Sequence, residues 1–306
     1  MSGGRALGYR LLGRRFDYLL HLRPAEWPIV AVHTATGLVL AVTLPGLNRI
    51  DLRVALFGIG LWVICLNGGT LAINSAFDRD EGDVAYLRAP PDPPHNLFTF
   101  GTALMVFGLG AAAQAMPAPY WQAYACCVGL SLLYSVPPIR LKAVAGLDWF
   151  INMWGFGTLT PFAGWVATGI PISRAGEIVL LAFCPLFAGL YPLTQIYQIE
   201  EDRRRGDRTL ASVLGAKGSL LLSLAAVTLA FGLLSWAGIV AGWHAQNDAV
   251  ARVGLLLVAA ISWVAVLVPW RRQADRLSPA SHERRMYAAL VAWAVTDAAV
   301  IYGFGR

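Results

Sequence analysis

The sequence predicts an all-α membrane protein of nine transmembrane helices. Its 306 residues are 57% hydrophobic and 14% charged, with a mean hydropathy of +0.57. A soluble domain carries about 25% charged residues. Nine apolar runs approach the ~20 residues that one crossing needs: 28–46, 54–76, 97–115, 119–136, 148–169, 177–197, 218–241, 253–270 and 286–304. With the N-terminus placed in the cytoplasm, 19 of the 24 Lys and Arg residues fall on the cytoplasmic side. That bias fits an odd number of spans. It also accounts for the net charge of +6, which is therefore no sign of a nucleic-acid partner.

The chain reads as one polytopic domain over 1–306, with a basic arm over 1–27 and the nine-helix bundle over 28–306. No cleavable leader pattern precedes the first run, so the N-terminus is expected to be retained. In the arm, Tyr9, Leu12, Phe16, Leu19 and Leu20 recur at helical spacing, with Arg10, Arg14 and Arg15 between them. The pattern suits either an amphipathic helix lying on an anionic leaflet or an ordinary basic flank. Trp27, Trp121, Trp243 and Trp270 fall near run ends, where interfacial aromatics anchor. Cys65, Cys126, Cys127 and Cys184 lie within apolar runs without CxxC spacing, and read as small packing residues.

The second and sixth runs each end in an acidic segment. The first holds Asn74, Asp78, Asp80, Glu81 and Asp83; the second holds Gln198, Glu200, Glu201, Asp202 and Asp207. Asn74 and Asp78 are spaced i, i+4 and share a helix face, as do Gln198 and Asp202. Asn67 extends the first polar stripe into the membrane. Acids at a membrane edge are costly and mark a site. Clustered oxygen ligands without a His/Cys set suit Mg²⁺, which takes one or two carboxylates and completes its shell with phosphate oxygens. Asp78, Asp80, Asp83, Glu200 and Asp202 are the candidate ligands. Arg79 and Arg88 accompany the first segment, Arg203 and Arg208 the second, and Arg140 and Lys142 lie between them. Carboxylates for a metal beside Arg and Lys for phosphate oxygens describe a metal–diphosphate site. The cytoplasmic bias alone accounts for most other bases, including Arg204 and Arg205.

These residues resemble the UbiA-type intramembrane prenyltransferase superfamily. The resemblance rests on Asn74-x3-Asp78 with Asp80, Tyr134-Ser-x-Pro-Pro-x-Arg140-x-Lys142, Glu200-x-Asp202, Gly206-Asp207-Arg208-Thr209-Leu210, and Arg23-Pro24 before the first run. It implies a helical bundle around a central cavity and Mg²⁺-dependent use of a polyprenyl diphosphate. Tyr134 and Gln198 then join the bases around the metal–diphosphate complex. Three positions depart from the family pattern: Gly82 and Gln198 stand where aspartate is usual, and Asp207 where lysine is usual.

The implied reaction breaks an allylic C–O bond, leaving a cation and pyrophosphate. Mg²⁺ on Asp78, Asp80 and Asp202, together with Arg140 and Lys142, would stabilise the leaving group, with Asn74 orienting a metal ligand or a phosphate oxygen. A dry aromatic wall would shield the cation, and Phe98, Trp149, Phe150, Trp154, Phe156, Phe162, Trp165, Phe187 and Tyr191 are available. Asp148 and Asn152 are expected to bind an acceptor or to pair with Lys142. Asp297 is expected to pack against a hydroxyl such as that of Thr296 or Tyr302. Three functions compete. The first is prenyl transfer to an acceptor that the sequence does not specify. The second is terpene cyclisation on the same scaffold. The third is cation-coupled transport, disfavoured because the acids lie at the membrane edge. The expected location is the lipid bilayer, with the N-terminus and the active-site loops cytoplasmic.

Overall fold

The computed structural model describes residues 3–42, 50–78, 84 and 87–305. Two short helices, α1 (Gly3–Leu12) and α2 (Phe16–His21), lead into nine longer helical rods among the described residues. These are α3 (Trp27–Ala41), α4 (Leu52–Asp78), α5 (Leu97–Ala115), α6 (Ala118–Ser135), α7 (147–166), α8 (Arg174–Arg205), α9 (Leu210–Val240), α10 (Ala249–Arg276) and α11 (Pro279–Phe304). The rods follow the nine predicted runs in order. The expectation of nine spans is nevertheless met only in part. Six rods, α4, α5, α8, α9, α10 and α11, are long and apolar enough to cross a membrane. With 15 residues, α3 is about 22 Å long, short of the ~30 Å hydrocarbon core.

α3 begins where the sequence predicts and ends early, at Ala41. The arm does not end at the level of the acidic segments. His21, Leu22 and Arg23 are buried, and Leu22 packs with Ala72 and Leu97. The chain thus enters α3 beside the middle of α4, and the arm's C-terminal end is packed into the bundle.

Two large buried clusters make the interior. One joins α8, α9, α10 and α11; the other joins α4, α5, α6 and the end of α7. Between them, α3 and α7 cross at backbone distance. A Cβ on Gly37 would lie 1.7 Å from the Pro161 carbonyl oxygen, and one on Gly164 would lie 1.8 Å from that of Thr34. Small residues let helices approach where lipid offers no hydrophobic drive to associate.

Prolines inside helices free the carbonyl four residues back, and neighbouring helices supply donors. Pro192 frees the Ala188 carbonyl, which accepts the Trp149 indole N–H at 2.7 Å. Pro161 frees that of Gly157, at the end of a π-helical stretch (Met153–Leu159). The His33 Nε2 lies 3.3 Å from the Gly157 oxygen and 3.1 Å from the Phe156 oxygen. The other ring nitrogen, Nδ1, lies 3.2 Å from the Asp297 carboxylate. Asp297 therefore pairs with a histidine 264 residues away, and not with Thr296 or Tyr302. The Thr296 hydroxyl accepts from Trp263 Nε1 at 3.0 Å. Three of the four cysteines are buried as expected; Cys126 is exposed.

Gly164→Ala is expected to destabilise the fold by about 1–3 kcal/mol, the usual range for overpacking a close contact. A lowered midpoint in detergent thermal unfolding checks this; an unchanged midpoint would show that the crossing relaxes freely.

Candidate active site

The loop between α6 and α7 builds the site. Pro137 and Pro138 end α6 at Ser135, and the chain turns under the bundle. Arg140 takes a left-handed backbone (φ 38°), a conformation that costs a non-glycine residue about 1 kcal/mol or more. Its side chain explains why the conformation holds. The guanidinium grips both oxygens of Asp207, one of them at 3.1 Å, and reaches Asp78 at 3.2 Å. Burial works against the cation, but the Asp207 and Asp78 carboxylates outweigh it and raise its pKa. Lys142, buried, bonds Asp78 and donates to the Asn74 side-chain oxygen at 2.7 Å. The Ser135 hydroxyl donates to the same oxygen at 3.3 Å.

Asp148 fastens this loop to the chain after α8. Its carboxylate accepts the Gly146 N–H at 2.8 Å, the Leu210 N–H at 2.9 Å and the Gln195 amide at 3.2 Å. The Arg208 N–H donates to the Ala143 carbonyl at 3.2 Å. In this structure Asp148 is a staple between the loop and the chain after α8. Asn152 donates to the Asp148 carbonyl and lines the cavity described below.

Of the second acidic segment, Asp202 is buried. It accepts from Arg205 at 3.0 Å and from the Thr209 hydroxyl at 3.1 Å. Glu200 points the other way, exposed and paired with Arg203 at 2.9 Å. Glu201 pairs with Arg205 at 3.5 Å. Gln198 is half-buried at the start of the last turns of α8. Arg88 and Arg208 are exposed. Arg79, Asp80, Glu81 and Asp83 lie outside the described residues. The structure thus joins Asn74, Asp78, Arg140, Lys142 and Asp207 in one network, with Asp202 tied to it through Arg205, whose Nε lies 3.7 Å from Asp207. Asp207 is the network member that the sequence reading left without a role.

Among the described residues no three His, Cys, Asp or Glu side chains converge as a ready-made metal cage. What converges is single carboxylates, an amide oxygen and two cations. That donor set fits Mg²⁺, which shares its shell with phosphate oxygens and takes few protein ligands.

Below Asn74 lies an apolar cavity of about 290 Å³, lined from α3, α4, α6, α7, α8 and α11. Phe156, Phe187 and Tyr191 face it as expected. Phe156 stacks on Phe187 with centroids 5.3 Å apart, and Trp293 meets Phe187 edge-on at 5.6 Å. The Tyr134 and Tyr191 hydroxyls bond each other at 2.8 Å. The other candidate aromatics sit elsewhere: Phe98 packs on Phe77, Phe150 on Trp154, and Phe162 and Trp165 belong to the packed interior. Trp62, Trp293, Arg23 and Glu26 line the cavity without having been anticipated. Trp27 beside Glu26 was the available signal, since an interfacial anchor suggested a surface position there.

Residues 30–291 match the UbiA prenyltransferase family. The chain is 30% identical to a lycopene elongase/hydratase of Halobacterium salinarum over 237 residues, 72% of this chain and 82% of that one. It is 29% identical to the lycopene elongase/hydratase of Haloferax volcanii over 222 residues, 70% of each chain. Its fold superposes on a UbiA homolog from Archaeoglobus fulgidus bound to GPP and Mg²⁺ with a TM-score of 0.67, at 19% identity, covering 95% of this chain and 100% of that one. A structure described for digeranylgeranylglyceryl phosphate synthase gives 0.69 at 16% identity, covering 94% and 97%.

Arg140→Ala is expected to weaken binding of a prenyl diphosphate about 10–100-fold, the worth of a charge-assisted hydrogen bond to phosphate. Binding of the matching prenyl alcohol should change little. Calorimetric titration of both ligands checks this; equal losses would assign Arg140 to loop folding alone.

Proposed function

The chain belongs to the UbiA prenyltransferase family, and from that premise we propose that it is a Mg²⁺-dependent intramembrane prenyltransferase acting on a neutral, apolar acceptor. One observation carries the reading: a carboxylate–cation network ends at Asn74, and an aromatic cavity begins at the same residue. The polar end suits a diphosphate and the apolar end a hydrocarbon chain. Bound GPP and Mg²⁺ in the Archaeoglobus fulgidus homolog support the donor and the metal. The lycopene elongase/hydratase relatives support a long neutral polyene as acceptor. The cavity agrees, because Arg23 is the one cation lining it among the described residues, and it interacts with Glu26. An anionic acceptor would find no unopposed positive charge there.

In this reading Arg140 and Lys142 release their carboxylates to hold phosphate oxygens. Asp78, Asp202 and the Asn74 side-chain oxygen are the residues that would hold Mg²⁺. When bound, the ion supplies positive charge where the leaving pyrophosphate gains negative charge. Phe156, Phe187, Tyr191 and Trp293 exclude water from the allylic cation and offer it their ring faces. The N-terminus and the network are taken as cytoplasmic from the arginine bias.

Purified protein incubated with DMAPP or GPP and Mg²⁺ should release pyrophosphate and alkylate lycopene, seen by mass spectrometry. A cyclised product formed without acceptor would instead establish a terpene cyclase. Asp78→Ala should lower turnover by about 10²-fold or more, the scale of losing one preorganised electrostatic group. Chelation should stop the reaction in the parent protein. Full turnover after exhaustive chelation would end the metal reading.

A further inference from the structure

Glu26 stands out as a carboxylate inside the cavity. Among the described residues it is the one Asp or Glu that lines it. It lies where α3 begins, beside Arg23 and Asn67. Asn67 is seven residues before Asn74 on α4, so its level is about 10 Å below the diphosphate end, at 1.5 Å per residue. Asn67 is 5% exposed, and neither of its amide atoms has a hydrogen-bond partner. Arg23 is 7% exposed with its Nε unbonded, and it holds a left-handed backbone at φ 49°. A strained, under-bonded, charged corner inside an apolar cavity is an intramembrane feature that folding alone does not call for.

The other groups able to take a proton in the cavity are occupied. His33 Nε2 faces two carbonyl oxygens, which obliges it to carry hydrogen, and Nδ1 faces Asp297. The Tyr134 and Tyr191 hydroxyls bond each other. Asp78 and Asp202 lie at the diphosphate end, tied to Arg and Lys.

We propose that Glu26 is the base that completes the reaction, taking the proton that the alkylated acceptor loses. The inference rests on the prenyl-transfer reading. The allylic cation forms a C–C bond with an acceptor double bond, whose electron pair is consumed. A tertiary cation is left on the acceptor. The Glu26 carboxylate removes a proton from a neighbouring carbon, and the C–H electron pair becomes the new double bond. Glu26 is then neutral and returns its proton to water at the cavity mouth. Arg23 serves as the counter-ion on the same cavity wall.

Glu26→Gln tests this, since the amide keeps shape and polarity but does not accept the proton. The protein is assayed with GPP, Mg²⁺ and lycopene, measuring pyrophosphate and every organic product. Pyrophosphate release should stay within about threefold of the parent. The ratio of alkene products, from acceptor and donor together, to water-quenched alcohols should fall at least tenfold. Glu26→Asp should restore part of that ratio, which a purely structural role would not predict. An unchanged ratio in Glu26→Gln overturns the assignment. So does a parallel loss of pyrophosphate release and alkene product, which would place Glu26 in diphosphate binding or folding. Absence of pyrophosphate release by the parent protein would overturn the prenyl-transfer reading itself, and this assignment with it.

Discussion

The ion network around Arg140 is the constraint on which the site depends. Asp78 ends α4 and Asp207 follows α8, so the two carboxylates come from opposite halves of the chain, and one guanidinium grips both. Removing one member of a buried ionic group costs about 3–5 kcal/mol, because the others stay behind unpaired. Here the penalty applies to several groups together, since Lys142 shares Asp78 and Arg205 shares Asp207. The left-handed turn at Arg140 is tolerable only while that network stands. The network meets the cavity at Asn74, which bonds Lys142 and lines the apolar space.

The interior obeys a second rule, that a polar group in hydrocarbon must find a partner. Two carbonyls released by prolines beside the cavity are met from another helix. Trp149 serves the carbonyl released by Pro192, and His33 the one released by Pro161. The prolines interrupt α7 and α8 beside the cavity, and the backbone crossing at Gly37 and Gly164 holds α3 against α7 while they do so. Aromatic side chains then fill the wall without closing it.

Much of this was legible in the sequence, and the failures are instructive. Apolar runs and acidic run-ends are local signals, and the helices and the Asn74–Asp78 face followed from them. Helix spacing also separates Glu200 from Asp202: two residues apart is about 200° around a helix, so both cannot face one site. The His33–Asp297 pair joins residues with no shared local pattern. The depth at which α3 starts depends on how Leu22 packs against α4 and α5, which no hydropathy window contains. That depth hid Glu26 among surface residues, and α3 appeared a full span because its apolar run continues to residue 46 while the helix ends at Ala41. Asp207 was passed over because its partner is set by the fold of a loop 67 residues earlier.

The pairing of Asp78 and Asp207 with Arg140 and Lys142 also bears on how the site fills. At rest each carboxylate already has a cation and each cation a carboxylate, so neither set advertises a bare charge to solution. A divalent ion arriving alone must displace two bases that are left stranded; a diphosphate arriving alone strands two acids. When both arrive, Asp78 would take the metal, the two bases would take the phosphate, and Asp207 would keep Arg205 as its neighbour. The resting network would therefore favour joint occupancy by the proposed metal and diphosphate. On the proposed reading, such a site would respond to the metal–diphosphate complex more than to either ion alone.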